Sequence, residues 1–243
     1  SIVVSAQTSK PAPRLPNGKP DFTGVWDHPR VGDISKSVEG ACAAGGAGCK
    51  SVVSGELVFT PAGKIEWDKN NKPTTYDYGS HCQPWGFVRA YNTPYPHAYV
   101  HHPDRLVILW EQDNRFHVVP TDGRELPKDL EPTWMGTSTG RWDGDTLVVT
   151  TAAFNARTWL DTEQHPHSDA LKLTIRMTRP DFNYLNWDIT MEDPKYYQKP
   201  IKNSRTFVLM EKGAELFEYA CAENHHCEGG KCVEADVQKG AKP

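Results

Sequence analysis

The residues most able to do chemistry crowd into one stretch, Asn155-Ala-Arg-Thr-Trp-Leu-Asp161 followed by His165-Pro-His-Ser-Asp169. A histidine moves protons near neutral pH, and a nearby carboxylate can orient it or share its charge. His167 and Asp169 are therefore the candidate catalytic pair. Arg89, Arg124 and Arg141 could recognise a carboxylate or an enolate-like charge. Trp134 and Trp159 could wall an apolar group, and Asn155 could bond a polar ligand atom. Such a set suits proton transfer on a small, partly apolar molecule: elimination, hydration or isomerisation. Ser168 sits between the pair, but sequence neighbours rarely form a Ser-His-Asp triad, whose members must meet in space. Plainer roles stand beside these. His167 could be a loop histidine bonded to backbone, Asp161 and Asp169 could cap loops, and Arg141 could be an ion partner of one of them.

A divalent metal is the second chemistry these residues allow. His165 and His167, two apart, share a face if extended and could chelate an ion. His97 and His101 are four apart, which on a strand separates them by about 13 Å, too far to share one. No other cofactor is expected, because no glycine-rich phosphate loop, nucleophile elbow, His-Glu-x-x-His or haem-attachment motif occurs.

Six cysteines, an even number, suggest disulfides and an oxidising compartment. Cys42 and Cys49 bracket a flexible Ala/Gly segment, and Cys227 and Cys232 bracket Glu-Gly-Gly-Lys. Both spacings suit small closed loops, which leaves Cys82 for Cys221. The competing reading is zinc, since Cys221, His225, His226, Cys227 and Cys232 lie close together, although no Cys-x-x-Cys pair is present. The opening Ser1-Ile-Val-Val-Ser-Ala-Gln reads as a processed chain or the tail of an export signal, so a secreted or periplasmic protein is expected.

The elements that must position these residues have a period of two. Arg105–Glu111 and Arg115–Val119 flank Gln112-Asp113-Asn114, and Ser138–Trp142 and Asp145–Thr151 flank Asp143-Gly144, a strong hairpin signal. Asp143-Gly-Asp145 is accordingly a turn rather than a carboxylate pair. Leu171–Met177 and Tyr184–Met191 alternate in the same way, as do Ser204–Met210 and Glu215–Tyr219. Trp110, Trp142 and Trp187 fall at core positions on these strands, while Tyr91, Tyr95 and Tyr99 could line a cleft or pack. Thr60-Pro61 opens a short helix to about Lys69. A long antiparallel meander hides its edges by closing. The expected fold is all-β: an antiparallel meander closed into a barrel enclosing a chamber, with a short helix and long loops. Residues 1–20 read as an extended arm, 21–224 as the single barrel domain with a disulfide-closed insertion near 42–49, and 225–243 as a tail.

The 243 residues carry 27 basic and 31 acidic side chains, a net charge of -4 with no basic run, which argues against nucleic acid as partner. No apolar run is long enough for a membrane-spanning helix. Arms of this composition are mobile unless held, so a homo-oligomer or assembly partner that orders the tails is the other partnership expected besides a small-molecule ligand.

Gly24-Val-Trp26 is similar to the Gly-x-Trp of lipocalin first strands, where the indole plugs one barrel end. A wider set of segments occurs in order: Asp122-Gly-Arg124, Pro132-Thr-Trp134, Gly140-Arg-Trp-Asp-Gly-Asp-Thr-Leu-Val-Val149, Phe154-Asn155, Thr158-Trp-Leu-Asp161, Pro166-His-Ser-Asp-Ala-Leu171, Asp193-Pro194 and Glu218-Tyr-Ala-Cys221-Ala-Glu-Asn224. Together they resemble an uncharacterised family of secreted bacterial β-rich proteins over roughly residues 20 to 224. The resemblance implies fold and compartment and supports Cys82 with Cys221, but it supplies no reaction. Thr137, where that family more often has His, and His97, His101 and His102 depart from it. Two functions follow: an exported barrel doing acid–base chemistry through His167 and Asp169, or a non-catalytic binding or accessory subunit of a larger assembly.

Overall fold

The computed structural model describes residues 10–72, 75 and 77–221, and the backbone of 225–228 and 231–234. Two meanders make the body. The first is β4 (His97–His102), β5 (Arg105–Trp110) and β6 (Arg115–Pro120); the second runs β7 (Thr137–Asp143), β8 (Thr146–Ala152), β9 (Lys172–Thr178), β10 (Tyr184–Glu192) and β11 (Ile201–Leu209). The first strand, β1 (Gly24–Asp27), joins them by pairing β4 on one edge and β11 on the other. The nine strands run in the order β6-β5-β4-β1-β11-β10-β9-β8-β7 and curl into a nearly closed antiparallel barrel.

The alternation read from the sequence is the pleat of these strands. Leu173, Ile175 and Met177 of β9 and Leu185, Trp187, Ile189 and Met191 of β10 all point to the core. Asp143-Gly144 turns the β7–β8 hairpin as expected, with Asp143 opposite Thr146. At the seam β6 and β7 share no strand ladder. His117 Nε2 bonds the Ser138 hydroxyl at 2.6 Å, and that hydroxyl bonds Thr151 Oγ1 at 2.6 Å.

The expected hairpin of 204–210 with 215–219 does not form. One edge of β11 is taken by β10; the other is divided between β1 at Val208–Leu209 and β3 (Ala47–Ser54) at Lys202–Thr206. With no edge left, 215–219 crosses the β5–β6 turn instead: Phe217 N donates to Glu111 and Tyr219 N to Asn114. β2 (Val38–Ala41) pairs with β3, and the Cys42–Cys49 disulfide, Cα–Cα 5.0 Å, closes that insertion. Cys82 is bonded to Cys221, Cα–Cα 5.7 Å, across 139 residues. β12 (His225–Glu228) and β13 (Lys231–Glu234) set Cys227 opposite Cys232. Their side chains, and with them the Cys227–Cys232 bridge and the zinc reading, lie outside the described residues. So do 1–9 of the expected arm; residues 10–20 lie on the barrel, where Arg14 pairs with Asp145 at 2.7 Å and Lys10 O accepts from Phe182 N.

Trp26 is fully buried, its indole N–H bonded to Phe22 O, with the Arg179 guanidinium 4.8 Å above the ring. The chamber expected inside the barrel is filled. A short helix missed in the sequence, α2 (Phe87–Ala90), enters the interior, where Phe87 packs on Trp110 and Tyr91 on Trp110 and Trp187. The space left there is a cavity of about 10 Å3, about the room for one water. The expected N-capped helix is present as α1 (Pro61–Asn70), with Thr60 Oγ1 accepting from Gly63 N at 3.1 Å. Gly63 lets α1 press onto the Tyr196 carbonyl; any Cβ there would collide with that backbone. Among the described residues no helix is long and apolar enough to cross a membrane.

Candidate functional site

The polar stretch singled out above is the connection between β8 and β9, lying across the outside of the barrel. It folds back on itself: Trp159 bridges Pro166 and Leu160 N donates to His165 O at 2.8 Å. Four neighbours clamp the resulting loop. Trp67 and Asn70 of α1 donate to Glu163 O and Gln164 O, Asn92 donates to Leu160 O at 2.7 Å, and Tyr197 OH donates to Pro166 O at 2.7 Å. Thr162 fixes the tip to Gly32 O through both its amide and its hydroxyl. The backbone is strained here. Ala153, Ala156 and Gln164 hold φ of 62°, 56° and 64°, a region unfavourable to side chains with a Cβ.

Clamping the loop brings together Asp161 and His165, at 2.6 Å between Oδ2 and Nδ1. The Asp161 carboxylate is fully buried and also accepts Ile34 N at 2.7 Å and His165 N at 3.1 Å. A carboxylate only accepts, so Nδ1 carries a proton, and in the neutral ring Nε2 is the nitrogen with the lone pair. The ring packs in a cluster with Trp67, 5.6 Å away and 5° from parallel, and Phe59 at 6.0 Å, which are themselves 5.3 Å apart. An open cleft of about 500 Å3 lies beside it, lined by Ser35, Gly55, Glu56, Leu57 and Phe59 with His165 itself. A buried carboxylate orienting an imidazole that lines a cleft is an arrangement suited to a general acid–base group.

Asp33 stands beside this pair. Partial burial raises its carboxyl, but hydrogen bonds from Ser35 and Lys36 outweigh it and hold the group below the ordinary range. Asp33, Asp161 and His165 each bring one ligand atom within 4.8 Å of the others, so these three are the residues that could hold a divalent metal. The expected His165–His167 chelate does not form, because the two rings turn to different partners across the bridged loop.

His167 lies on the opposite side, buried, its Nε2 2.7 Å from Thr158 Oγ1 and its Nδ1 3.1 Å from Ser168 O. The backbone carbonyl takes the Nδ1 proton, so Thr158 donates to Nε2, and burial holds the imidazole below its usual range, in the neutral form. Gly86 makes room for this pair: with φ of 82° it lies where any Cβ would strike the Thr158 side chain. A narrower cleft of about 240 Å3 opens beside His167, lined by Trp159, Arg157, Asn70 and Tyr78 among others.

Asp169 is not brought to His167. It points outward and pairs with Lys195 at 2.5 Å, while Ser168 bonds Asp193 through both its amide and its hydroxyl. His167 and Asp169, the pair expected from the sequence, are thus kept apart, and the histidine–carboxylate contact in this loop is that of His165 with Asp161. Of the other expected contacts, Trp159 reaches the narrower cleft, and Arg89 stacks behind it. The Arg89 guanidinium lies 4.4 Å from the Trp85 ring and 5.4 Å from Trp159, paired with Asp77. Arg124 pairs with Asp122 on the surface, Arg141 is exposed on β7, Trp134 sits under Arg157, and Asn155 accepts from Arg157 N within its own turn. These four do not converge on either cleft. The signal for the dyad was the i,i+4 spacing of Asp161 and His165 across a polar turn, which alternation alone does not flag.

No family model matches the chain, and neither the curated proteins nor the solved structures contain a match to it.

Proposed function

We propose that this chain is an exported barrel protein that catalyses proton transfer on a small, partly apolar molecule held in the cleft before His165. The observation that carries the reading is the buried Asp161 carboxylate on Nδ1 of His165, a residue that lines the cleft. In the first step Nε2 takes a proton from a carbon next to a carbonyl or carboxylate, and the electron pair stays on the substrate. The imidazolium so formed is stabilised by Asp161, and it returns the proton to another substrate atom or to a leaving group. That sequence serves elimination and isomerisation; run in reverse, with Nε2 taking a proton from water as its oxygen bonds the unsaturated carbon and the proton then going to the neighbouring carbon, it serves hydration. Phe59 and Leu57 supply an apolar wall, which suits a substrate with a short hydrocarbon part. The Cys42–Cys49 and Cys82–Cys221 bridges support maturation in an oxidising compartment, hence the periplasm or the exterior.

Deuterium uptake tests this without knowledge of the natural substrate. The full chain is incubated in D2O with a panel of small ketones, hydroxy acids and unsaturated acids, and loss of carbon-bound protons is followed by NMR. The wild type exchanges at least one member of the panel. His165→Gln slows that exchange by about 10²–10⁴-fold, the usual worth of a positioned general base. Asp161→Asn slows it with little change in KM. Exchange that survives His165→Gln overturns the assignment, and a wild type inert across the panel leaves the cleft as the site of a binding or accessory subunit.

A further inference from the structure

Arg205 is the residue out of place in the barrel interior. The pleat of β11 turns Ile201, Asn203, Arg205 and Phe207 inward, and so delivers a guanidinium into the core, 2% exposed. Its Nε donates to Asn203 Oδ1 at 2.9 Å and its Nη1 to the Tyr91 backbone carbonyl at 3.2 Å. Both acceptors are neutral, and among the described residues no carboxylate pairs with it. Arginine is rarely buried without a counter-charge, because its desolvation is then uncompensated. Burial lowers its pKa only to about 10, so the group remains a cation at neutral pH.

The groups around it have the same shortage. Trp187 Nε1 is buried with no hydrogen-bond partner, and the buried Tyr91 hydroxyl has only the Tyr99 hydroxyl beside it. Trp187 lies opposite Arg205 in the β10–β11 ladder, and its ring is 4.5 Å from that of Tyr91. Arg205, Trp187 and Tyr91 all line the space of about 10 Å3 bordered by β9, β10, β11 and α2, with Ile175, Ile189 and Met191 as apolar wall. An indole N–H and a guanidinium can only donate. What is missing there is an acceptor carrying negative charge.

We propose that this cavity is a binding site for a single monatomic anion of the chloride class, held by Arg205, Trp187 and Tyr91. A water molecule fits the space but brings two more donors and leaves the charge uncompensated. A monatomic anion, little larger than a water, enters with a small outward give of the walls, whereas a carboxylate, with three heavy atoms, needs far more room. The bound anion would join β10, β11 and the inserted α2 through one charge. It therefore acts on stability, separately from the chemistry at His165.

The full chain, exchanged into sodium gluconate, is melted at constant ionic strength as chloride replaces gluconate. Tm rises with the logarithm of chloride by roughly 3–5 °C per tenfold once the site begins to saturate. Formate produces no such rise. Arg205→Met, similar in length and without charge, abolishes the chloride dependence, and Trp187→Phe weakens it. Should Arg205→Met fail to fold, crystals of the wild type soaked in bromide decide the matter by anomalous scattering, with a peak within hydrogen-bond reach of the Arg205 guanidinium. Melting that is indifferent to chloride, an unchanged slope in Arg205→Met, a response to formate instead, or a cavity with no bromide peak each overturns the site.

Discussion

Acidification from pH 7 to pH 4 strips this protein of roughly 6 kcal/mol of stability, a large share of the roughly 5–15 kcal/mol that holds a typical domain folded. The loss comes from histidines buried in neutral form. Desolvation lowers His117 and His101 to about 4 each, from an ordinary 6.5. His117 faces Ser138 and the edge of the Phe87 ring; His101 lies against Phe22 and Trp142, with Asp21 3.9 Å away raising its pKa and His102 lowering it. Between pH 6.5 and 4 the unfolded chain binds protons that the folded chain refuses, so stability falls as pH falls. At roughly 1.4 kcal/mol per unit, each ring contributes roughly 3 kcal/mol, fully present above pH 6.5 and lost by pH 4. His28, His97 and His167 are lowered by burial as well and act in the same direction. Because His117 links β6 to β7 where no ladder closes the barrel, the seam is the region that opens first. Urea unfolding at pH 7, 5.5 and 4 measures the effect. His117→Gln keeps a polar group for Ser138 while removing one titrating ring, and its loss over this range is smaller by roughly 3 kcal/mol. A stability flat between pH 7 and 4 contradicts the neutral burial of these rings.

The second large effect is structural. Replacing both Cys82 and Cys221 by serine destabilises the fold by up to about 5 kcal/mol in the chain-entropy treatment, because the bridge closes a very long loop in the unfolded chain. Replacing Cys42 and Cys49, seven residues apart, costs about half as much on the same reasoning. Thermal melting separates the two: the first double variant falls by roughly 10–20 °C and the second by less. The longer bridge also borders the site. Cys82 ends the turn that carries Tyr78, and the Tyr78 hydroxyl accepts Trp159 N at 3.0 Å. Loss of the bridge thus loosens the wall behind the narrower cleft as well as the fold. Equal melting temperatures for the two variants would sink the loop-length argument.

The strands were readable because their information is local. Asp143-Gly144 turns a hairpin and Leu173, Ile175 and Met177 share a face by period alone, just as Thr60-Pro61 opens a helix. What could not be read depends on distant partners. Residues 215–219 alternate like a strand but find β11 occupied on both edges, partly by β3, whose sequence Ala-Gly-Cys-Lys-Ser-Val-Val-Ser gives little sign of a central role. Phe87–Ala90 fills the barrel because a helical turn there matches a space set by several strands. At the site, the cluster of residues was visible but its pairing was not. His167 and Asp169 would share a face only in an extended chain. Instead the backbone turns after Ser168, with Leu171 N bonding Ser168 O, so one residue goes in and the other out. Asp161 reaches His165 because Gln164 adopts a left-handed conformation, which period-two reasoning does not anticipate.

Histidine-selective 15N–1H NMR at neutral pH, with His165 assigned by its loss in His165→Gln, tests the dyad most directly. The expected spectrum places the N–H of the neutral ring on Nδ1 with Nε2 bare, and that pattern changes when Asp161 becomes Asn. A His165 ring protonated at Nε2 with Nδ1 bare, or one indifferent to Asp161→Asn, contradicts it.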